Sequence, residues 1–139
     1  MTDERLFQER WVELAQQIGG FAAQFRPSNV RTMKVRVGKG MVMTFVQRAK
    51  HVRSELYIYR GKDIFHESEA IYDQFFSNRE AIEADFDEPL EWNPRGGNAC
   101  RIERNFHGFD LKDPHCWDEF CIDSINAMNR LHAALVAHF

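Results

Sequence analysis

The stretch Arg53-Ser-Glu-Leu-Tyr-Ile-Tyr59 decides the fold. Val52, Ser54, Leu56 and Ile58 alternate with Arg53, Glu55, Tyr57 and Tyr59, the period of a strand with one face on a core and the other turned outward. The outward set is an arginine, a carboxylate and two tyrosines, groups that bind partners as readily as they stay hydrated. Upstream, Thr32 to Val37 sets Met33, Val35 and Val37 against Thr32, Lys34 and Arg36; Gly38-Lys-Gly40 then supplies turn residues before a second run, Met41 to Arg48. Ala49-Lys50 makes another tight connection into the opening strand. Three successive strands therefore predict an antiparallel meander.

On either side of the meander the period changes. From about Glu4 to Ile18, Leu6, Phe7, Trp11, Leu14 and Ile18 recur at helical steps, with Thr2 or Asp3 available as a cap and Gly19-Gly20 as a stop. Phe21 to Asn29, with Pro27, reads as a loop or a short extra turn. After the meander, Ile64, Phe65, Ser68, Ile71, Tyr72, Phe75, Phe76, Ile82 and Phe86 trace a helical stripe, with Ser77-Asn78 as the place for a break. Pro89-Leu-Glu-Trp92 is a short strand candidate, Asn93-Pro-Arg-Gly-Gly-Asn98 a strong turn signal, and Ala99 to Phe106 the return strand. Trp117, Phe120, Cys121, Ile125, Met128, Leu131 and Leu135 then mark a long amphipathic helix. The expected fold is α+β in the order α-β-β-β-α-β-β-α: a five-stranded antiparallel sheet with helices on one face, in one domain spanning residues 1–139.

Composition bounds the function. At 139 residues with 44% hydrophobic content and 12 Phe, the chain can bury a core without disulfides or metal. A net charge of -3 excludes coating nucleic acid by bulk electrostatics, although one basic face remains compatible with it. Cys100, Cys116 and Cys121 form an odd set without a repeated CxxC, which fits reduced thiols. The first residues lack a signal-peptide pattern and no apolar run approaches a membrane span, so a cytoplasmic protein without a membrane partner is expected.

Several segments together resemble a known family. Arg53-Ser-Glu-Leu-Tyr-Ile58, Ile82-Glu83 with Glu88-Pro-Leu-Glu-Trp92, the Ala99-Cys-Arg-Ile102 strand and Trp117 at the head of the last helix are similar to domain of unknown function 4268 (DUF4268). The resemblance covers most of the chain; in the N-terminal helix only Trp11 and the amphipathic form agree. The family commonly occurs fused behind a nuclease-like domain in bacterial proteins that look like restriction or defence components. The resemblance implies a fold and that setting, with this chain as the module alone, and it implies no catalytic residues.

Chemical motifs are weak throughout. A restriction-type nuclease needs an acid followed by Glu-x-Lys or Asp-x-Lys to hold a cation and position water; Glu55-Leu-Tyr57 has tyrosine where lysine belongs. Glu55 reads better as an ion-pair partner of Arg53, Arg48 or Arg101. His107, His115, Cys116 and Cys121 match no zinc spacing, and Cys121 falls on the apolar stripe. His132 and His138 are six apart and read as solvated side chains. Gly38-Lys-Gly40 lacks the spacing of a phosphate loop and precedes a strand. No motif calls for a cofactor or a metal.

What remains is the sheet surface. With Met33, Val35, Met43, Phe45, Leu56, Ile58 and Ile102 toward the helices, the other face gathers Lys34, Arg36, Thr44, Arg48, Arg53, Glu55, Tyr57, Arg101 and Glu103, and Trp92 can join either surface. Such a face can hold phosphates with arginine and stack bases on tyrosine, can serve as the polar side of an ordinary sheet, or can dock a protein. The expected function is a non-catalytic binding module whose partner is nucleic acid or a nuclease-like protein. The alternatives are an enzyme with a cryptic site around Arg53, Glu55, Tyr57 and Arg101, and a protein-docking domain.

Overall fold

The structure, a computed structural model, describes the backbone of residues 1–139 and the surroundings of every residue except Gly96. Helix α1 (Asp3–Ile18) is capped by the Thr2 side chain, which accepts from the Arg5 amide at 3.2 Å. The meander follows as β1 (Thr32–Gly38), β2 (Met41–Gln47) and β3 (His51–Ile58). Helices α2 (Phe65–Ser77) and α3 (Arg79–Phe86) divide the central helical stripe at Asn78, the expected breakpoint. Strands β4 (Glu91–Gly96) and β5 (Ala99–His107) make a hairpin, and α4 (Trp117–Val136) closes the chain. All neighbours in the sheet are antiparallel, in the order β1-β2-β3-β5-β4, so the opening stretch lies on the central strand.

The hairpin corrects the expected turn. Strand β4 runs through Asn93-Pro-Arg, and only Gly97-Asn98 form the loop, with Gly97 at φ 71 as the first residue of a two-residue connection. Pro94 fits because β4 is an edge strand and its pairing slips between Asn93 and Gly96, where no ladder donor is needed.

The covered face carries Met33, Met43, Phe45, Val52, Leu56, Ile58, Cys100 and Ile102, all buried under the helices. Phe7, Trp11 and Leu14 of α1 reach this core, whereas Leu6 and Ile18 stay exposed; the stripe is narrower than the sequence suggested. At the junction of α1, α4 and β3, Trp11 Nε1 donates to Ser124 Oγ at 2.9 Å, Ser124 Oγ donates to the Cys121 carbonyl at 3.0 Å, and Ser54 Oγ donates to the Ser124 carbonyl at 2.7 Å. These buried polar groups are therefore satisfied where an orphaned hydroxyl would cost about 1–3 kcal/mol. His132, expected to be solvated, is half-buried and lies flat on Phe21, with ring centroids 3.9 Å apart.

Leu131 is 0% exposed and Ile122, on the other side of the same helix, is 39% exposed. Leu131→Ala should lose about 2–5 kcal/mol in urea unfolding, and Ile122→Ala about 0.5 kcal/mol or less. Equal losses would mean that the helix presents no preferred face to the sheet.

Candidate binding face of the sheet

The face without helices is built by register. Thr44, Glu55, Glu103 and Glu91 form one row across β2, β3, β5 and β4. Val42, Tyr57, Arg101 and Asn93 form the next row, and Val46, Arg53 and Asn105 the row on the other side. Lys34 stands opposite Thr44, and Arg36 opposite Val42, on the edge strand β1.

Glu55 is the unexpected member, because it is 1% exposed on a face that no helix covers. Two arginines bury it. Arg53 Nε donates to Glu55 Oε1 at 2.5 Å, and Arg101 Nε lies 3.8 Å from Oε2; their side chains are 14% and 21% exposed. The Arg101 guanidinium also sits over the Tyr57 ring, 5.1 Å from its centroid. Burial holds the Glu55 carboxyl above its ordinary pKa against the attraction of Arg53 and then Arg101, and Glu103 opposite adds to the rise. Glu103 shares the Asn105 amide with Glu91, both accepting from Nδ2 at 2.9 Å.

The other basic residues are arranged differently. Away from this face, Arg5 is matched with Glu9, Arg10 with Asp118, Arg60 with Glu67 and Arg104 with Glu88, whereas Arg26, Lys39, Lys62, Arg79 and Arg95 have no ion-pair partner among the described residues. On it, Lys34, Arg36 and Arg48 are exposed and have no ion-pair partner among the described residues. The face is thus graded, basic at β1 and the β2–β3 turn and acidic toward the other edge, where Glu103 of β5 and Glu91 of β4 stand.

The sequence-predicted residues Lys34, Arg36, Arg48, Arg53, Glu55, Tyr57 and Arg101 come together on this face. Trp92 does not join them. Its register partner is Ile102, so it lies on the covered face, where it meets Tyr72 and Phe76 edge-on and its Nε1 donates to Glu83 at 3.1 Å. Further members that the sequence reading did not place on this face are Glu91 and Asn93 of β4 and the facing pair His51 and His107 at the end of the sheet. Their odd positions share the parity of Arg53 and Arg101, and that was the available signal.

Glu55 offers little as a catalytic base, since each of its oxygens faces a guanidinium and water has almost no access to it. Cys121 is buried in the core, where desolvation pushes its thiol up, so it is a packing residue.

Fold and face together define a one-sheet α+β module with one covered and one polar, open face. The sequence model of the family described as Domain of unknown function (DUF4268) matches residues 6–138, and the chain belongs to that family. Neither the curated proteins nor the solved structures contain a match to it. Among the described residues no helix is long and apolar enough to cross a membrane.

A raised folded-state pKa means that Glu55 favours the fold most in acid, where folded and unfolded states both hold the proton. That contribution is lost as pH rises from the unfolded value of 4.5 through the folded one. Glu55→Gln keeps an acceptor for Arg53 and cannot lose it. Its stability relative to wild type should therefore be greater at about pH 7.5 than at about pH 4 by urea unfolding. A relative stability that declines over the same range would mean that the two arginines outweigh burial.

Proposed function

We propose that the open sheet face binds a single-stranded nucleic acid and that the chain is a non-catalytic recognition module for a nuclease-like or other defence partner. The observation that carries this reading is the segregation of Lys34, Arg36 and Arg48, unpaired and exposed, onto the face where Arg53 and Arg101 are fixed by Glu55. Like charges gathered on neighbouring strands repel one another, and an anionic ligand relieves that repulsion. Arg53 uses only its Nε on protein among the described residues, which leaves its outer nitrogens for phosphate oxygens.

Tyr57 and Tyr59 supply the second requirement. Their rings lie 6.2 Å apart on this side of the sheet, and Tyr59 is exposed. Bases of a single strand can stack there while the backbone follows Lys34 and Arg36 of β1, Arg48 of the β2–β3 turn and Arg53 of β3. The facing pair Glu103 of β5 and Glu91 of β4 sets the limit of the track, because both repel phosphate. The setting commonly seen for the family, behind nuclease-like domains, agrees with a module that holds nucleic acid for another domain to cut.

The variants for a test follow from the geometry. Removing both Arg53 and Arg101 would strand Glu55 as a buried, unpaired charge and confuse binding with unfolding. Lys34→Ala, Arg36→Ala and Arg48→Ala combined leave the Glu55 cluster intact. Wild type should bind labelled oligonucleotides of about 12 nucleotides at low salt, single strands more tightly than duplexes. The triple variant should flatten the dependence of log K on log salt by about one unit per lost phosphate contact. Tyr59→Ala should weaken binding by about 1–3 kcal/mol. No binding of any oligonucleotide at low salt would end the reading and favour an acidic protein partner; an unchanged salt slope in the triple variant would place the ligand elsewhere.

A further inference from the structure

His51 and His107 face each other across β3 and β5 at the end of the open face, with ring centroids 5.4 Å apart and planes at 36°. His107 is exposed and His51 half-buried. The groups around His51 are cationic with one exception. Arg48, in the turn from β2, donates its amide to the His51 carbonyl at 2.9 Å, Arg53 is two residues along the same strand, and β5 contributes His107 and the carboxylate of Glu103. Lys50, the next residue of the turn, is held away by Asp110 at 3.2 Å. Arg53 is matched by Glu55 beneath it and Lys50 by Asp110, so Arg48 is the cation at this end without an ion-pair partner among the described residues, and the His51 imidazole can add a further positive charge.

We propose that His51, facing His107 across the strands, is the acid-responsive end of the anion-binding face, gaining charge beside Arg48 and Arg53 as pH falls and tightening the hold on a phosphate backbone. The inference rests on the reading of the open face as a nucleic-acid surface. Burial first, then Arg53, His107 and Arg48, hold the His51 pKa below its ordinary value, so in the free protein His51 is neutral at neutral pH. A phosphate between the rings and the arginines reverses the sign of the local field and favours the imidazolium. Binding and protonation are then linked: each strengthens the other, and the complex takes up protons when it forms. No covalent step is involved.

The test uses the full chain and a fluorescein-labelled oligothymidylate of about 12 nucleotides. Its affinity is measured over a range of salt at about pH 5.5 and about pH 7.5. Wild type should bind more tightly in acid, with a salt slope steeper by about one unit. In His51→Gln with His107→Gln the difference in affinity between the two pH values should disappear. In parallel, NMR titration of the wild-type His51 ring protons should show its pKa rising when the oligonucleotide is present, a readout that needs no variant. Failure to bind at either pH would overturn the nucleic-acid reading of the face itself. Binding that is equal at both pH values, an acid gain retained by the double variant, or a His51 pKa unmoved by the oligonucleotide would overturn this inference and leave the face reading standing.

Discussion

A buried carboxylate on the uncovered side of a sheet is the constraint on which the functional face depends. Glu55, 1% exposed, lies between Arg53 and Arg101, and its charge holds those arginines in place together with the Tyr57 ring under Arg101. Desolvating a carboxylate is expensive, and the upward shift of its pKa says that the two guanidiniums do not fully offset it. A neutral residue of the same shape would serve the sheet at least as well. What the carboxylate adds is order, since two long cationic side chains that would otherwise sample many rotamers are held in one arrangement at the centre of the face.

The rest of the fold makes that arrangement possible. All helices pack on one face, so the core, the Trp11–Ser124–Ser54 junction and α4 stabilise the sheet from behind and leave its front free. The front must then remain soluble by itself, which a sheet does with polar residues in alternation. Here the alternation is sorted by sign, with unpaired cations toward β1 and carboxylates toward β4. Unpaired cations occur elsewhere too, at Arg26, Lys39, Lys62, Arg79 and Arg95, and it is the sorting by sign across one sheet face that accords with the proposed anionic ligand.

Much of this was legible in the sequence because strand parity is a strong signal. Once Val52, Ser54, Leu56 and Ile58 were assigned inward, Arg53, Glu55 and Tyr57 had to share the other face, and the register of β5 added Arg101. The break between α2 and α3 was visible at Ser77-Asn78. Trp92 was ambiguous because its strand is short and begins two residues later than the hydrophobic run implied; only the pairing with Ile102 fixes its side. The hairpin turn was read too long because Asn, Pro and Gly signal turns locally, while an edge strand with slipped pairing tolerates all three. The depth of Glu55 had no signature at all. Burial beneath two neighbouring arginines is a property of side-chain packing, and a residue alternating outward reads as exposed.

The most direct measurement of the central claim is a map of backbone amide shifts, by NMR, as a short single-stranded oligonucleotide is titrated into the protein. The account predicts perturbations concentrated on β1, β2 and β3, strongest around Arg36, Arg48, Arg53 and Tyr57, fading toward Glu91 and absent from the solvent side of α4 around Ile122. Perturbations centred on the helices, or none at a protein concentration where the sheet amides are well resolved, would contradict it.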